Sequence, residues 1–229
     1  MPSRFTDFKI IKKIDEHFVA LSKNYLGIKT IQDFLSDDSR KKVILFDLFQ
    51  IGENVNHFSK RLQSKLNEKD ISGLVSIRNY IAHGYDFIDY QIIKKVIEEE
   101  LGPFINNIKR IARDLYKKDM MSILGKKVEV FIDRPIGYIH SNITYKLNYG
   151  YIKEIMAPDD EYQDVYIIDE HKELSNSCFG TVIAIIHRKN DIEDKLVVSI
   201  HNKDYSIKEI KELTHFQEQF FDIEITKPQ

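Results

Sequence analysis

Within Arg78-Asn79-Tyr80-Ile81-Ala82-His83-Gly84-Tyr85 the chain gathers an arginine, an amide, an imidazole and a phenol around one helix end. That set suits phosphodiester chemistry. Arginine grips a phosphate through a planar fork of donors, and histidine is the side chain whose ordinary pKa lies nearest neutrality for proton transfer. Arg78 and His83 are five positions apart. On a regular helix that is about 140° of rotation, so they share no face, whereas Asn79 and His83 do. Gly84, as the residue that follows the helix, would let the turn carry Tyr85 back beside the polar side chains. The same residues also suit plain helix termination, since cations in the last turn complement the helix dipole.

A second constellation lies in Pro158-Asp159-Asp160-Glu161-Tyr162-Gln163-Asp164, where Asp159, Glu161 and Asp164 follow a turn and lead into a β-rich run. Closely spaced carboxylates at a strand entrance are the ligands a hard cation such as Mg²⁺ takes, although solvated acidic turns have the same composition. His140 and His187 stand singly on β-rich segments and read as packed or surface residues.

Two kinds of element must position these groups. Apolar residues recur at helical spacing from Phe5 to about Lys118, as in Phe8, Ile11, Ile14, Phe18, Leu21 and again Leu48, Ile51, Val55, Phe58, Leu62. The cluster Ser36-Asp37-Asp38-Ser39 offers N-caps, and Gly102-Pro103 is expected to kink or break the fourth helix. Beyond Lys118 the period becomes two, with short β-rich runs near 128–132, 149–153, 164–168, 180–187 and 195–200, before helical spacing returns from Ser206 to about Phe221. The expected fold is a multidomain α and β chain: an N-terminal antiparallel helical bundle over 1–118, a linker over 119–125, and a small β-barrel with a terminal helix over 126–229.

The formal net charge of −2 hides an asymmetry. Residues 1–118 hold 21 Lys and Arg against 16 Asp and Glu, and 119–229 hold 13 against 20, giving +5 and −7. The first half thus tolerates polyanions and the second suits divalent cations. Lys109, Arg110, Arg113, Lys117 and Lys118 form a basic cluster that could track a phosphate backbone or simply face solvent. No apolar run is long enough to span a bilayer and the N-terminus has no signal-peptide pattern, so a cytoplasmic protein without membrane contact is expected. The single cysteine, Cys178, excludes an intramolecular disulfide and any CxxC site.

The R-x4-H-x-Y spacing of Arg78, His83 and Tyr85, with KKVILFDLFQIGENVNHFSKRL upstream, resembles the HepT-like (DUF86) branch of HEPN domains over roughly residues 5–116. The resemblance implies a homodimer whose paired motifs line one cleft, often acting as a metal-independent ribonuclease toxin. In that role His83 would be general acid or base on an RNA substrate, Arg78 would stabilise the phosphorane charge and Asn79 would orient the phosphate. Tyr85 corresponds to the tyrosine that a partner nucleotidyltransferase antitoxin can modify with AMP.

Asn148-Tyr149-Gly150-Tyr151-Ile152 and the acids after it are similar to soluble family I inorganic pyrophosphatases, a likeness extending over about 126–224. It implies Mg²⁺ held by Asp159, Glu161 and Asp164 with one or more of Asp191, Glu193 and Asp194. Phosphate would be steadied by Arg134, Tyr149 and Lys195. Glu161 replaces an aspartate of the family pattern, the early hairpin is missing, and Phe220-Phe221 stand where the family has a tyrosine–lysine phosphate grip. Three readings follow: a Mg²⁺-dependent pyrophosphate or phosphoanhydride hydrolase fused to an RNA endonuclease, a ribonuclease regulated by a non-hydrolytic nucleotide- or metal-sensing barrel, or a helical half that only dimerises.

Overall fold

The computed structural model describes residues 6–83 and 89–228, the side chain of Asp70 apart. Tyr85 and Gly84, both expected at the functional helix end, lie outside the described residues. The chain divides into two compact units, Met1–Asp114 and Leu115–Gln229.

The first unit is helical. Helix α1 (Asp7–Tyr25) starts where the Thr6 hydroxyl accepts from the Lys9 backbone N–H, and α2 (Ile31–Ser36) starts at a Thr30/Asp33 capping box. Of the polar cluster before the next helix, it is Asp37 that caps α3 (Asp38–Val55), accepting from the Arg40 N–H at 3.0 Å. Then follow α4 (Lys60–Gln63), α5 (Glu68–His83), α6 (Tyr90–Lys95), a π-helical turn at Val96–Glu100, and α7 (Leu101–Ile123). Helix α1 buries Ile10, Ile11, Ile14 and Leu21 against α3, which buries Ile44, Leu45, Leu48, Ile51 and Val55 and packs in turn on α5. Each such side chain contributes about 1.5–3 kcal/mol on leaving water.

The expected break at Gly102-Pro103 takes a different form. Helix α7 runs through both residues, and the irregularity sits just before them as the π turn. A π turn widens the ladder and so accommodates a proline that has no N–H to give. The stretch 119–123, read from sequence as linker, is the last part of α7, and the division between units falls between Asp114 and Leu115. In the second unit Tyr116 explains the position of that division. Its buried hydroxyl donates to Gln163 Oε1 at 2.7 Å and accepts from the Asp194 N–H at 3.1 Å.

The second unit contains β1 (Lys127–Arg134), the hairpin β2 (Ile139–His140) and β3 (Ile143–Thr144), then β4 (Asn148–Met156), β5 (Tyr162–Ile167), β6 (Ser177–Arg188) and β7 (Lys195–Ser199). Helix α8 (Ile207–Glu218) and β8 (Ile223–Thr226) complete it. Pairing runs β1-β4-β5-β7-β6 and returns from β6 to β1, which closes a five-stranded barrel, and β8 adds to β6. Only β5 and β7 run parallel among these neighbours. A Ser206/Glu209 capping box starts α8. Its Ile210 and Phe216 cover Tyr145, Tyr149 and Tyr166, so this face of the strands is core under α8. Closure needs the strands at Gly150 to approach closely. A Cβ there would fall 2.0 Å from the Phe131 carbonyl oxygen.

Candidate functional sites

In the helical unit Arg78 is placed by the contact of α3 with α5. At Gly52 a Cβ would lie 2.7 Å from the Arg78 Cβ and 2.8 Å from the Leu74 carbonyl oxygen, so only glycine permits this approach. Arg78 then turns its Nε and Nη2 to Glu53 Oε2, each at 2.5 Å, and Nη1 to Asn79 Oδ1 at 2.7 Å. Its guanidinium lies 5.6 Å from the centre of the Phe49 ring. Charge-assisted forks of this kind fix orientation as well as charge. Arg78 is half-buried, while Asn79 and His83 are exposed on the same helix. The structure therefore joins Arg78 to Asn79, keeps His83 in solvent at the end of α5, and adds a residue the sequence reading missed, Glu53. Its only sequence signal is helical spacing on α3 one residue beyond Gly52. Within the basic cluster of α7, Lys109 pairs with Asp15, and Arg110 pairs with Asp114 at 3.2 Å.

In the barrel unit the acids meet cations of the chain itself. Lys195, whose side chain is 5% exposed, donates to Asp164 Oδ2 at 2.5 Å and to Glu193 Oε2. The Tyr149 hydroxyl donates to the same Asp164 oxygen at 2.6 Å. Burial, with the Asp164 charge beside it, pushes the Tyr149 phenol well above its ordinary value. Burial likewise raises the Glu193 carboxyl to about 7, against the opposing pull of Lys195. Asp194 is held by His187 Nδ1 at 2.8 Å and by the Arg188 N–H at 3.2 Å, and Asp191 by Arg188 Nη1 at 3.0 Å. His187, set aside as a packed residue, bridges Asp194 and the Thr226 hydroxyl. Asp159 accepts from the Glu161 N–H.

Arg134 lines the same cleft as Asp164 but has partners of its own. Its Nη1 donates to the Tyr145 hydroxyl at 2.5 Å, its Nε pairs with Asp133, and its guanidinium lies over the Tyr145 and Tyr149 rings. At the terminal helix, Glu218 accepts from Arg188 Nε and Nη2 and from the Tyr166 hydroxyl, while Phe221 lies 3.7 Å under the Arg188 guanidinium. Asn148 of the NYGYI segment is structural. Its amide donates to the carbonyls of Glu170 and Lys172, and its oxygen accepts from the N–H of Ile136 and Leu174.

The donor set does not fit Mg²⁺ as it stands. A hard cation needs several converging oxygens, and here Asp164 and Glu193 converge on the Lys195 ammonium while Asp194 is held by His187 and Asp191 by Arg188. Among the described residues no group of three or more His, Cys, Asp or Glu side chains is arranged to hold a metal ion. No helix among them is long and apolar enough to cross a membrane.

Comparison with known proteins agrees with the two resemblances. The family model described as Ribonuclease HepT-like matches residues 14–111. A candidate RNase of Methanocaldococcus jannaschii is 28% identical over 94 residues, which is 41% of this chain and 78% of that protein. Solved inorganic pyrophosphatases overlie the C-terminal part. That from Ehrlichia chaffeensis is 14% identical over 45% of this chain and 87% of its own, with a TM-score of 0.38. That from Thermus thermophilus is 14% identical over 44% and 80%, with a TM-score of 0.34.

Proposed function

We propose that this chain is a metal-independent RNA endonuclease whose chemistry resides in the HepT-like helical unit, joined to a barrel that handles phosphate compounds without turning them over. The observation that carries the reading is Arg78, clamped by Glu53 and Asn79 on the same helix that presents His83 to solvent. His83 would take the proton of an RNA 2′-hydroxyl as that oxygen forms its bond to phosphorus. As the P–O5′ bond breaks, a proton returns to the departing oxygen, leaving a 2′,3′-cyclic phosphate and a 5′-hydroxyl. Arg78 would balance the charge that builds on the non-bridging oxygens. Asn79 would orient the phosphate.

The angle between Arg78 and His83 around α5 favours a homodimer, in which the arginine of one copy and the histidine of the other face one scissile phosphate. Co-expression of Arg78→Ala with His83→Ala tests this. Mixed dimers should recover part of the activity that each variant lacks alone, and no recovery would remove the composite cleft. A nucleotidyltransferase antitoxin that adds AMP to Tyr85 would silence the site, and intact-protein mass after co-expression with such an enzyme reads that event. The primary experiment is cleavage of an RNA oligonucleotide in EDTA. Cleavage that persists in His83→Ala would sink the proposal.

In the barrel the Lys195 ammonium already occupies one oxygen each of Asp164 and Glu193, the place a cation would take. The reading of the barrel as a Mg²⁺-dependent pyrophosphate or phosphoanhydride hydrolase therefore rests on resemblance alone. Release of phosphate from pyrophosphate that requires Mg²⁺ and disappears in Asp164→Asn would restore it.

A further inference from the structure

The face of the barrel that α8 covers at Tyr149 and Tyr166 continues beyond the helix. Side chains two residues apart on a strand share a face, so Tyr151 extends it on β4. Its cross-strand partners Phe131 on β1 and Asp164 on β5 do so on either side. Three rings stand there in a near-parallel stack. Phe131 and Tyr151 are 5.7 Å apart at 17°, and Tyr151 and Tyr162 are 5.4 Å apart at 10°. The Lys153 ammonium sits 3.6 Å from the centre of the Phe131 ring, and Tyr162, 42% exposed, is the last ring of the row. Tyr151 and Tyr162, with Met156, line an open cleft of about 410 Å³ whose polar wall is Asp133, Arg134, Asp160, Glu161 and Asp164.

We infer that this cleft binds a nucleotide unit: a base stacked on Tyr162, ribose hydroxyls donating to the carboxylate wall, and a phosphate on Arg134. The proposal deepens the reading of the barrel as a phosphate-handling, non-hydrolytic unit and does not depend on His83. Three features select this ligand class. The volume is that of a small-molecule site, with Tyr151, Tyr162 and Met156 as an apolar wall facing a charged one. A planar base extends an existing ring stack, a contact worth about 1–3 kcal/mol per base. Four carboxylates against one arginine would repel a bare pyrophosphate more strongly than the smaller charge of a nucleoside monophosphate, and would accept from the hydroxyl and amine donors of the nucleoside. The same unit could be a free nucleotide or the 3′-terminal nucleotide of an RNA.

Calorimetric titration of the full chain in EDTA, with AMP, adenosine, pyrophosphate and a short RNA ending in a 3′-hydroxyl or a 3′-phosphate, tests the inference. AMP should bind, and Tyr162→Ala should weaken it about 5–100-fold, as loss of one stacking contact implies. Tyr162→Phe should retain binding. Arg134→Met should weaken AMP while leaving adenosine unchanged. Tighter binding of the 3′-hydroxyl RNA than of AMP assigns the site to RNA ends, and the reverse assigns it to free nucleotide. Pyrophosphate binding as well as AMP, or AMP binding indifferent to Tyr162→Ala, would overturn the proposal. Loss of RNA cleavage in His83→Ala with AMP binding intact keeps failure of the nuclease reading distinct from failure of this one.

Discussion

Both units pair their cations with carboxylates, but they differ in how deeply the pairs are buried. In the helical unit Arg78 is oriented by Glu53 and Asn79 at a helix end, and His83 stands exposed on the same helix. In the barrel Lys195, Arg188 and His187 are each matched to carboxylates, and Lys195, Arg188, Glu193, Asp194 and Glu218 are all buried. Buried pairs hold a fold in one arrangement and, because each partner is satisfied, offer little to a substrate. Arg78 is paired too, but it is only half-buried, and His83 on the same helix is exposed, so both remain within reach of a substrate. Titratable residues gathered in one place therefore do not by themselves mark a reactive site; both units pair their cations within the chain, and what differs is how far the pairs stay open to solvent.

The sharpest way to break this contrast is at His83. Loss of a general acid or base costs about 10²–10⁴-fold in rate, so His83→Ala should reduce RNA cleavage by at least a hundredfold while leaving the thermal midpoint unchanged. Lys195→Met tests the opposite side. Removing one partner of a buried pair costs about 3–5 kcal/mol, and the freed Asp164 and Glu193 carboxylates should then let Mg²⁺ raise the melting temperature. The parent chain should show no such response. A Mg²⁺-stabilised parent would show that the ammonium yields to the ion and that the barrel is not self-neutralised.

A smaller effect is expected where the helical site is positioned. Gly52→Ala places a methyl against the Arg78 Cβ and the Leu74 carbonyl. Overpacking of this kind costs about 1–3 kcal/mol, and it should lower kcat more than it raises KM because it displaces Arg78. The smallest effect concerns pH. Glu193 has a folded-state pKa raised to about 7 from an ordinary 4.5. The folded chain therefore binds the proton more tightly than the unfolded one, and stability contributed by the protonated form is lost as pH rises from about 4.5 to 7. Chemical denaturation across that range should show a decline that Glu193→Gln flattens. An unchanged slope would mean that Glu193 is not the titrating group.

Periodicity made much of this fold readable. Alternation at Val128, Val130 and Ile132 foretold β1, and the helical spacing of Ile207, Ile210 and Leu213 foretold α8. Closure of the barrel was expected in kind, but the pairing of β1 with β6 joins strands about fifty residues apart, and local patterns carry no information about such partners. Gly102-Pro103 misled because the chain absorbed the proline with a π turn one step earlier. At the sites, Arg78, Asn79 and His83 could be proposed from sequence because their spacing is local to one helix. Resemblance assigns Lys195 to phosphate, and the local sequence does not show that it is buried between Asp164 and Glu193. Arg188 and Glu218 went unseen for the same reason, since they meet across thirty residues of intervening chain.

The most direct test of the account is cleavage of a defined RNA by the purified full chain in EDTA, with the product ends identified by mass spectrometry. The account predicts 2′,3′-cyclic phosphate and 5′-hydroxyl ends from the parent and none from His83→Ala. Cleavage that appears only with Mg²⁺ and survives in His83→Ala would contradict it.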